Sequence, residues 1–153
     1  MGPRLTERES FREWLGKMPP GTKETVEALQ SVVRSDRCVM FSTTWCPWCT
    51  RAQDFIKSHT EGRASCRKVD LDAPPPELAN VGSVGATLAA LTGQNSVPNL
   101  FIARKHIGGF QELVAAAEQC RAGSVAPEHQ DVCHFLGEAT AAAAGAPPAG
   151  AVR

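Results

Sequence analysis

Cys38-Val39-Met40-Phe41-Ser42-Thr43-Thr44-Trp45-Cys46-Pro47-Trp48-Cys49-Thr50-Arg51-Ala52 contains the change of hydrophobic period on which the fold turns. Its first four residues are an apolar run of strand formers, and from Cys49 the apolar positions Ala52, Phe55 and Ile56 recur at helical spacing. The Cys-x-x-Cys pair therefore opens a helix. Pro47 suits the first helical position, where its missing N–H is no loss, so Cys46 falls at the N-cap with its sulfur towards unpaired backbone N–H groups. That field favours a thiolate at Cys46. Cys49 follows one turn on, within disulfide reach and deeper in the helix, which makes Cys46 the candidate nucleophile and Cys49 the candidate resolving thiol. The same spacing also serves half a zinc site or an inert bonded pair. A zinc site needs a second ligand pair at short, ordered spacing, whereas Cys38, Cys66, Cys120 and Cys133 are scattered singly, so the redox reading is preferred.

A chain of 153 residues can build one ordinary core with material left over, so one domain with extensions is expected. Sixteen acidic and sixteen basic residues cancel, which gives no field for nucleic acid or membrane, and no segment has the apolar length to span a bilayer. Met1 to Ser10 is charged and lacks the apolar stretch of a signal peptide. Glu7, Glu9 and Glu13 are too acidic for a transit peptide, and Pro3 after Gly2 spoils a myristoylation signal. These points lead to the expectation of a reducing cytoplasm, and Pro47 with the isolated placement of the remaining cysteines to that of a monomer.

Ser10 and Glu13 form a capping box ahead of Phe11, Trp14, Leu15 and Met18, so residues 1–21 read as an extension with a short helix. Residues 22–34 predict a second helix with Val26, Leu29, Val32 and Val33 on one face. After the Cys46 helix, Cys66 to Leu71 predicts a strand, and Pro74-Pro75-Pro76 forbids a helix until about Val84, Leu88 and Leu91, ended by Gly93. Val97 to Ile102 predicts a strand, Arg104-Lys105 a tight turn into His106-Ile107, and Gly108-Gly109 the start of a helix carrying Leu113, Ala117 and Cys120. The order specifies an α/β domain over 22–122, a four-stranded mixed sheet flanked by helices. Within 123–153, Pro127 to Leu136 predicts a short helix with Val132, Phe135 and Leu136 inward and Gly137 as its stop, followed by a disordered Ala/Gly/Pro tail. Cys38, Cys66 and Cys120 read as small core residues. His129, Cys133 and His134 do not converge on one helical face, so no metal site is expected there.

With this order of elements, the run Phe41-Ser42-Thr43-Thr44-Trp45-Cys46-Pro47-Trp48-Cys49-Thr50-Arg51-Ala52 resembles the active-site region of dithiol glutaredoxins. Leu91-Thr92-Gly93-Gln94-Asn95-Ser96-Val97-Pro98-Asn99-Leu100-Phe101-Ile102 and Lys105-His106-Ile107-Gly108-Gly109 resemble that family's Thr-Val-Pro and Gly-Gly segments. The resemblance implies a thioredoxin-like fold, a cis Pro98, and a glutathione-dependent oxidoreductase acting on glutathione mixed disulfides and protein disulfides, with glutathione as co-substrate and no metal. It assigns Cys46 and Cys49 to catalysis and Thr43, Trp48, Val97, Pro98, Gly109, Phe110 and Gln111 to glutathione binding. A cis Pro98 would turn the Val97 backbone towards a peptide-like ligand, and the amides after Gly109 can hold a carboxylate.

The side chains that depart from the family pattern do so in one direction. Thr43 stands where a Lys is usual, Asn95 where Lys or Arg is common, Gln111 where Asp is common, and Gly85 at the place of a ligand-reaching Gln. Charge pairing to glutathione is thereby thinned. Some glutaredoxins instead hold an iron–sulfur cluster between two such cysteines and two glutathiones. Pro47 argues against this alternative, since cluster-holding members mostly have Gly or Ser there.

Overall fold

The computed structural model describes residues 22–137. The capping box at Ser10 and Glu13 with the helix it introduces, and the Ala/Gly/Pro run 139–153, lie outside the described residues.

The first described helix, α1 (Thr22–Arg34), buries Val26, Leu29 and Val32, as its apolar spacing requires. Strand β1 (Cys38–Ser42) is buried at every position because it lies inside the sheet. Alternation along β1 sends Cys38 and Met40 to one face, and Val39 and Phe41 to the other. The sheet order is β2-β1-β3-β4, where β2 is Arg67–Asp70, β3 Asn99–Ile102 and β4 Lys105–Gly108. β2 runs parallel to β1 with Val39 opposite Arg67, and β3 runs antiparallel to it with Met40 opposite Leu100. The parallel pair needs a crossover, which is α2 (Pro47–His59).

Each face carries its own core. On one, Met40, Leu100 and Ile102 pack with Ile56 of α2 and Leu113 and Ala117 of the fifth helix. On the other, Val39, Phe41 and Val69 pack with Leu29 and Val32 of α1, Leu78 of α3 (Pro76–Ala79) and Leu88 of α4 (Val84–Thr92). The predicted four-stranded mixed sheet between helices is thus the observed one.

Local differences have local causes. The proline run does not postpone the helix to Val84: Pro75 is extended at the N-cap and Pro76 occupies the first helical position of α3. Pro98 stands before β3 rather than inside the strand, so the ladder begins at Asn99 opposite Phe41. The β3–β4 turn is Ala103-Arg104, both at positive φ of 53° and 68°, one residue earlier than predicted and of the kind that matches strand twist. Gly93 ends α4 in the left-handed conformation, as predicted. After α5 (Phe110–Ala122), a 3₁₀ turn at Pro127–His129 leads into α6 (Gln130–Phe135), which buries Val132, Cys133 and Leu136 against the first core, with Phe135 half-buried.

The four remaining cysteines correct the sequence reading most. They are core residues, but not solitary ones: Cys38 is bonded to Cys66, and Cys120 to Cys133. The parallel β1–β2 register brings the first pair together, and the packing of α6 on α5 the second. Sequence spacing encodes neither.

Candidate active site

Cys46 occupies the N-cap of α2 in extended conformation, with Pro47 at the first helical position. Its Sγ accepts a hydrogen bond from the Cys49 N–H at 3.1 Å, and its carbonyl accepts from the Thr50 N–H at 3.1 Å. Cys46 and Cys49 are joined as a disulfide. Their environments are unequal: Cys49 is completely buried in the core beneath the sheet, and Cys46 is partly open to solvent. An incoming thiolate therefore meets one sulfur and not the other.

The turn before Cys46 is pinned by side chains from β2 and the residues after it. Thr44 donates to the Asp72 carboxylate twice, from its N–H at 3.0 Å and its hydroxyl at 2.8 Å. The hydroxyl bond is the leading reason that the Asp72 carboxyl lies below its ordinary value of 3.8. The Lys68 ammonium, paired with Asp70, also donates to the Thr43 carbonyl at 3.0 Å. A cation thus does reach this turn, from the neighbouring strand instead of from position 43.

Beside the disulfide lies a groove of about 220 Å³ lined by Trp48, Ser96, Val97, Pro98, Gly109, Phe110, Gln111 and Glu112. The Val97–Pro98 peptide is cis. The Gln94 amide donates to the carbonyls of Ser96 and Pro98, both at 2.9 Å, and so fixes the backbone on either side of Val97. Beneath, Asn99 donates to the Thr92 hydroxyl at 3.2 Å and faces His106 Nε2 at 2.7 Å. The opposite wall is the start of α5, where the Glu112 carboxylate reaches back to accept from the Gly109 N–H at 2.9 Å. Gly108, at φ 120°, sits where a Cβ would meet Glu112 Cγ at 2.9 Å, so this turn requires glycine. Trp48 closes the groove against Phe110, ring centres 5.6 Å apart, and the Arg51 guanidinium lies 4.4 Å above the Trp48 ring.

Of the residues assigned from sequence, the fold brings Trp48, Val97, Pro98, Gly109, Phe110 and Gln111 into this one groove beside Cys46 and Cys49. Thr43 is not among the lining residues. Ser96 joins the lining unpredicted, although its place directly before Val97-Pro98 was a signal. Asp72 and Lys68 were missed because only strand pairing places them next to the Thr43-Thr44 turn. Cys133 is bonded to Cys120, and among the described residues no group of three or more His, Cys, Asp or Glu could hold a metal ion. Among the described residues, no helix is long and apolar enough to cross a membrane.

A mixed four-stranded sheet with a disulfide at a helix N-terminus, a cis-proline loop beside it and a double glycine opposite defines a thioredoxin-like protein of the dithiol type. The glutaredoxin family model matches residues 38–107. Glutaredoxin-C1 of Arabidopsis thaliana is 30% identical over 112 residues, covering 69% of this chain and 84% of its own length. A glutaredoxin of Solanum lycopersicum is 36% identical over 86 residues, covering 56% of this chain and 73% of its own. Among solved structures, a buckwheat glutaredoxin–glutathione complex aligns at 30% identity with a TM-score of 0.54, covering 76% of this chain and 98% of that one. The chain belongs to the glutaredoxin family, and its class of activity is thiol–disulfide oxidoreduction.

Proposed function

We propose that this protein is a glutathione-dependent oxidoreductase that reduces glutathione mixed disulfides and protein disulfides through Cys46. The observation that carries the reading is the inequality within the pair: Cys46 is partly exposed at the N-cap and its Sγ accepts an N–H, whereas Cys49 is buried. In the reduced protein the Cys46 thiolate attacks the glutathione sulfur of a mixed disulfide. A Cys46–glutathione disulfide forms, and the substrate leaves as its thiolate. A second glutathione thiolate then takes the bound glutathione away as oxidised glutathione and restores the Cys46 thiolate. With a protein disulfide, the Cys49 thiolate instead displaces the bound partner and closes the Cys46–Cys49 disulfide, which two glutathiones reopen.

Glutathione fits the groove lined by Trp48, Val97, Pro98, Gly109, Phe110 and Gln111, with the cysteinyl backbone against Val97 and a carboxylate on the amides that follow Gly109. That the buckwheat relative was solved as a glutathione complex supports glutathione as the ligand. Because Glu112 already occupies the Gly109 amide and no basic side chain lines the groove, backbone contacts hold the ligand, and binding is weak and only mildly salt-dependent.

The test compares single variants in a glutathione-coupled assay with a small mixed disulfide and with a protein disulfide. Cys46→Ser abolishes both activities. Cys49→Ser keeps the first and loses most of the second. Equal loss towards the small mixed disulfide in both variants refutes the assignment of nucleophile and resolver.

A further inference from the structure

Among the described residues, two large apolar side chains stand out into solvent, Trp45 at 78% and Trp48 at 50% exposure, and both flank the Cys46–Cys49 disulfide. They are not equivalent. Trp48 is a wall of the groove, packed on Phe110. Trp45 does not line it, so a tripeptide filling that space leaves the Trp45 indole in water. The turn that presents Trp45 is nevertheless fixed, by the two Thr44 bonds to Asp72 and the Lys68 bond to the Thr43 carbonyl. An exposed indole on a pinned turn has little ordering entropy left to lose on binding, which is the character of an interface anchor.

We infer that Trp45 is a docking anchor for protein substrates, and that its occupant is a polypeptide whose disulfide cysteine is flanked by a bulky apolar side chain. The inference rests on the thiol-exchange reading, which puts the partner's sulfur against Cys46. A partner whose sulfur is bonded to Cys46 also has residues outside the groove, and the exposed apolar side chain next to Cys46 that they can meet is Trp45. A Leu, Met or Phe there buries against the indole, with a gain of about 25 cal/mol for each Å² of apolar surface covered. Glutathione has no residue that reaches so far. Trp45 therefore separates protein substrates from small ones without touching the sulfur chemistry.

The test uses Trp45→Ser and Trp45→Phe with three substrates: the mixed disulfide of glutathione and 2-mercaptoethanol, a disulfide peptide with Leu next to its cysteine, and the same peptide with Ser there. Trp45→Ser should leave the small substrate within two-fold of wild type and lower kcat/KM for the Leu peptide at least about ten-fold, through KM. The Ser peptide should change by less than two-fold, and Trp45→Phe should recover most of the loss. Independently of turnover, the Leu peptide with its cysteines replaced by serine should bind wild type more tightly than Trp45→Ser, read by titration calorimetry. Equal losses on the small substrate and the Leu peptide, or no difference in binding, would overturn the anchor. A wild type that binds the Leu peptide yet fails to turn over the glutathione mixed disulfide would overturn the glutathione reading and leave the anchor standing.

Discussion

Replacing Cys120 and Cys133 together by alanine removes a bond that closes 13 residues of chain between α5 and α6. Closing a loop of about that length restricts the unfolded chain by roughly 3 kcal/mol. The folded side offers little to offset the loss. Both sulfurs are buried, and α6 has six residues, far too few to be helical unaided, so Val132, Leu136 and the 2.7 Å ion pair between Lys105 and Asp131 are left to hold it. For a domain of this size each kcal/mol moves the midpoint of thermal unfolding by about 3–5 °C, so Tm should fall by roughly 10–15 °C under non-reducing conditions. Circular dichroism melts of the wild type and the double variant measure it, and intact mass under acid quench confirms the bond in the wild type. At 25 °C the variant should keep its rate with a small mixed disulfide, since Cys120 is absent from the groove lining. A Tm within 3 °C of wild type, with the bond present in the wild type, refutes the claim that this crosslink fastens the C-terminal extension.

Under a glutathione buffer that reduces Cys46–Cys49, trapping with a maleimide should label one thiol per folded chain, Cys46, and six only after denaturation in reductant; six in the folded chain contradicts the shielding of the other sulfurs. Gln94→Ala frees the carbonyls of Ser96 and Pro98 and should raise KM for the glutathione mixed disulfide several-fold with kcat within about two-fold; a change confined to kcat contradicts its role in shaping the groove. Asp131 lies below its ordinary value of 3.8, first through the Lys105 hydrogen bond, as does Asp72 through Thr44, and Glu77 lies below 4.5 through Arg67. A depressed carboxyl adds stability that is complete above its unfolded value and lost as pH falls through its folded one, so Tm should be flat above about pH 5 and drop below about 4.5. Asp131→Asn should reduce that acid dependence, and an unchanged slope would deny the ion pair any share in it.

The legible part of this protein is the part written in contiguous residues. Val39 to Phe41, then Pro47 directly after Cys46, specify a strand and a helix start through local period and φ preference alone, and with them the unequal exposure of the two active-site sulfurs. Leu113, Ala117 and Cys120 likewise declare the inner face of α5. What stayed hidden depends on pairing between distant segments. Cys38 faces Cys66 because β1 and β2 are parallel in one particular register, and a slip by one residue would turn Cys66 to the other face. Lys68 and Asp72 reach the Thr43-Thr44 turn through that same register, which is why Thr43 read as a site that had lost its cation while the fold provides one from β2. Pro75-Pro76 was misread for a different reason: a proline that cannot continue a helix can begin one.

The same pairing bears on the compartment. A reducing cytoplasm was expected because Met1 to Ser10 lacks the apolar stretch of a signal peptide, and that expectation did not foresee four further cysteines bonded in pairs. Two structural crosslinks in a protein whose reaction runs on free thiols would be self-defeating if every disulfide met the same reductant. Exchange, however, needs a thiolate to reach a sulfur, and access differs widely here. Cys38, Cys66, Cys120 and Cys133 are buried in the core that packs α2 and α5 on the sheet, and Gln53 of α2 closes over the Cys66 backbone with bonds of 2.7 and 2.9 Å. Cys46 alone of the six is partly open, at the N-cap where leaving and attacking thiolates are both stabilised by backbone N–H groups. Burial thus divides one chemistry into two roles: at four sulfurs the disulfide holds the core that positions the α2 N-terminus, and at that N-terminus, in the proposed mechanism, it turns over.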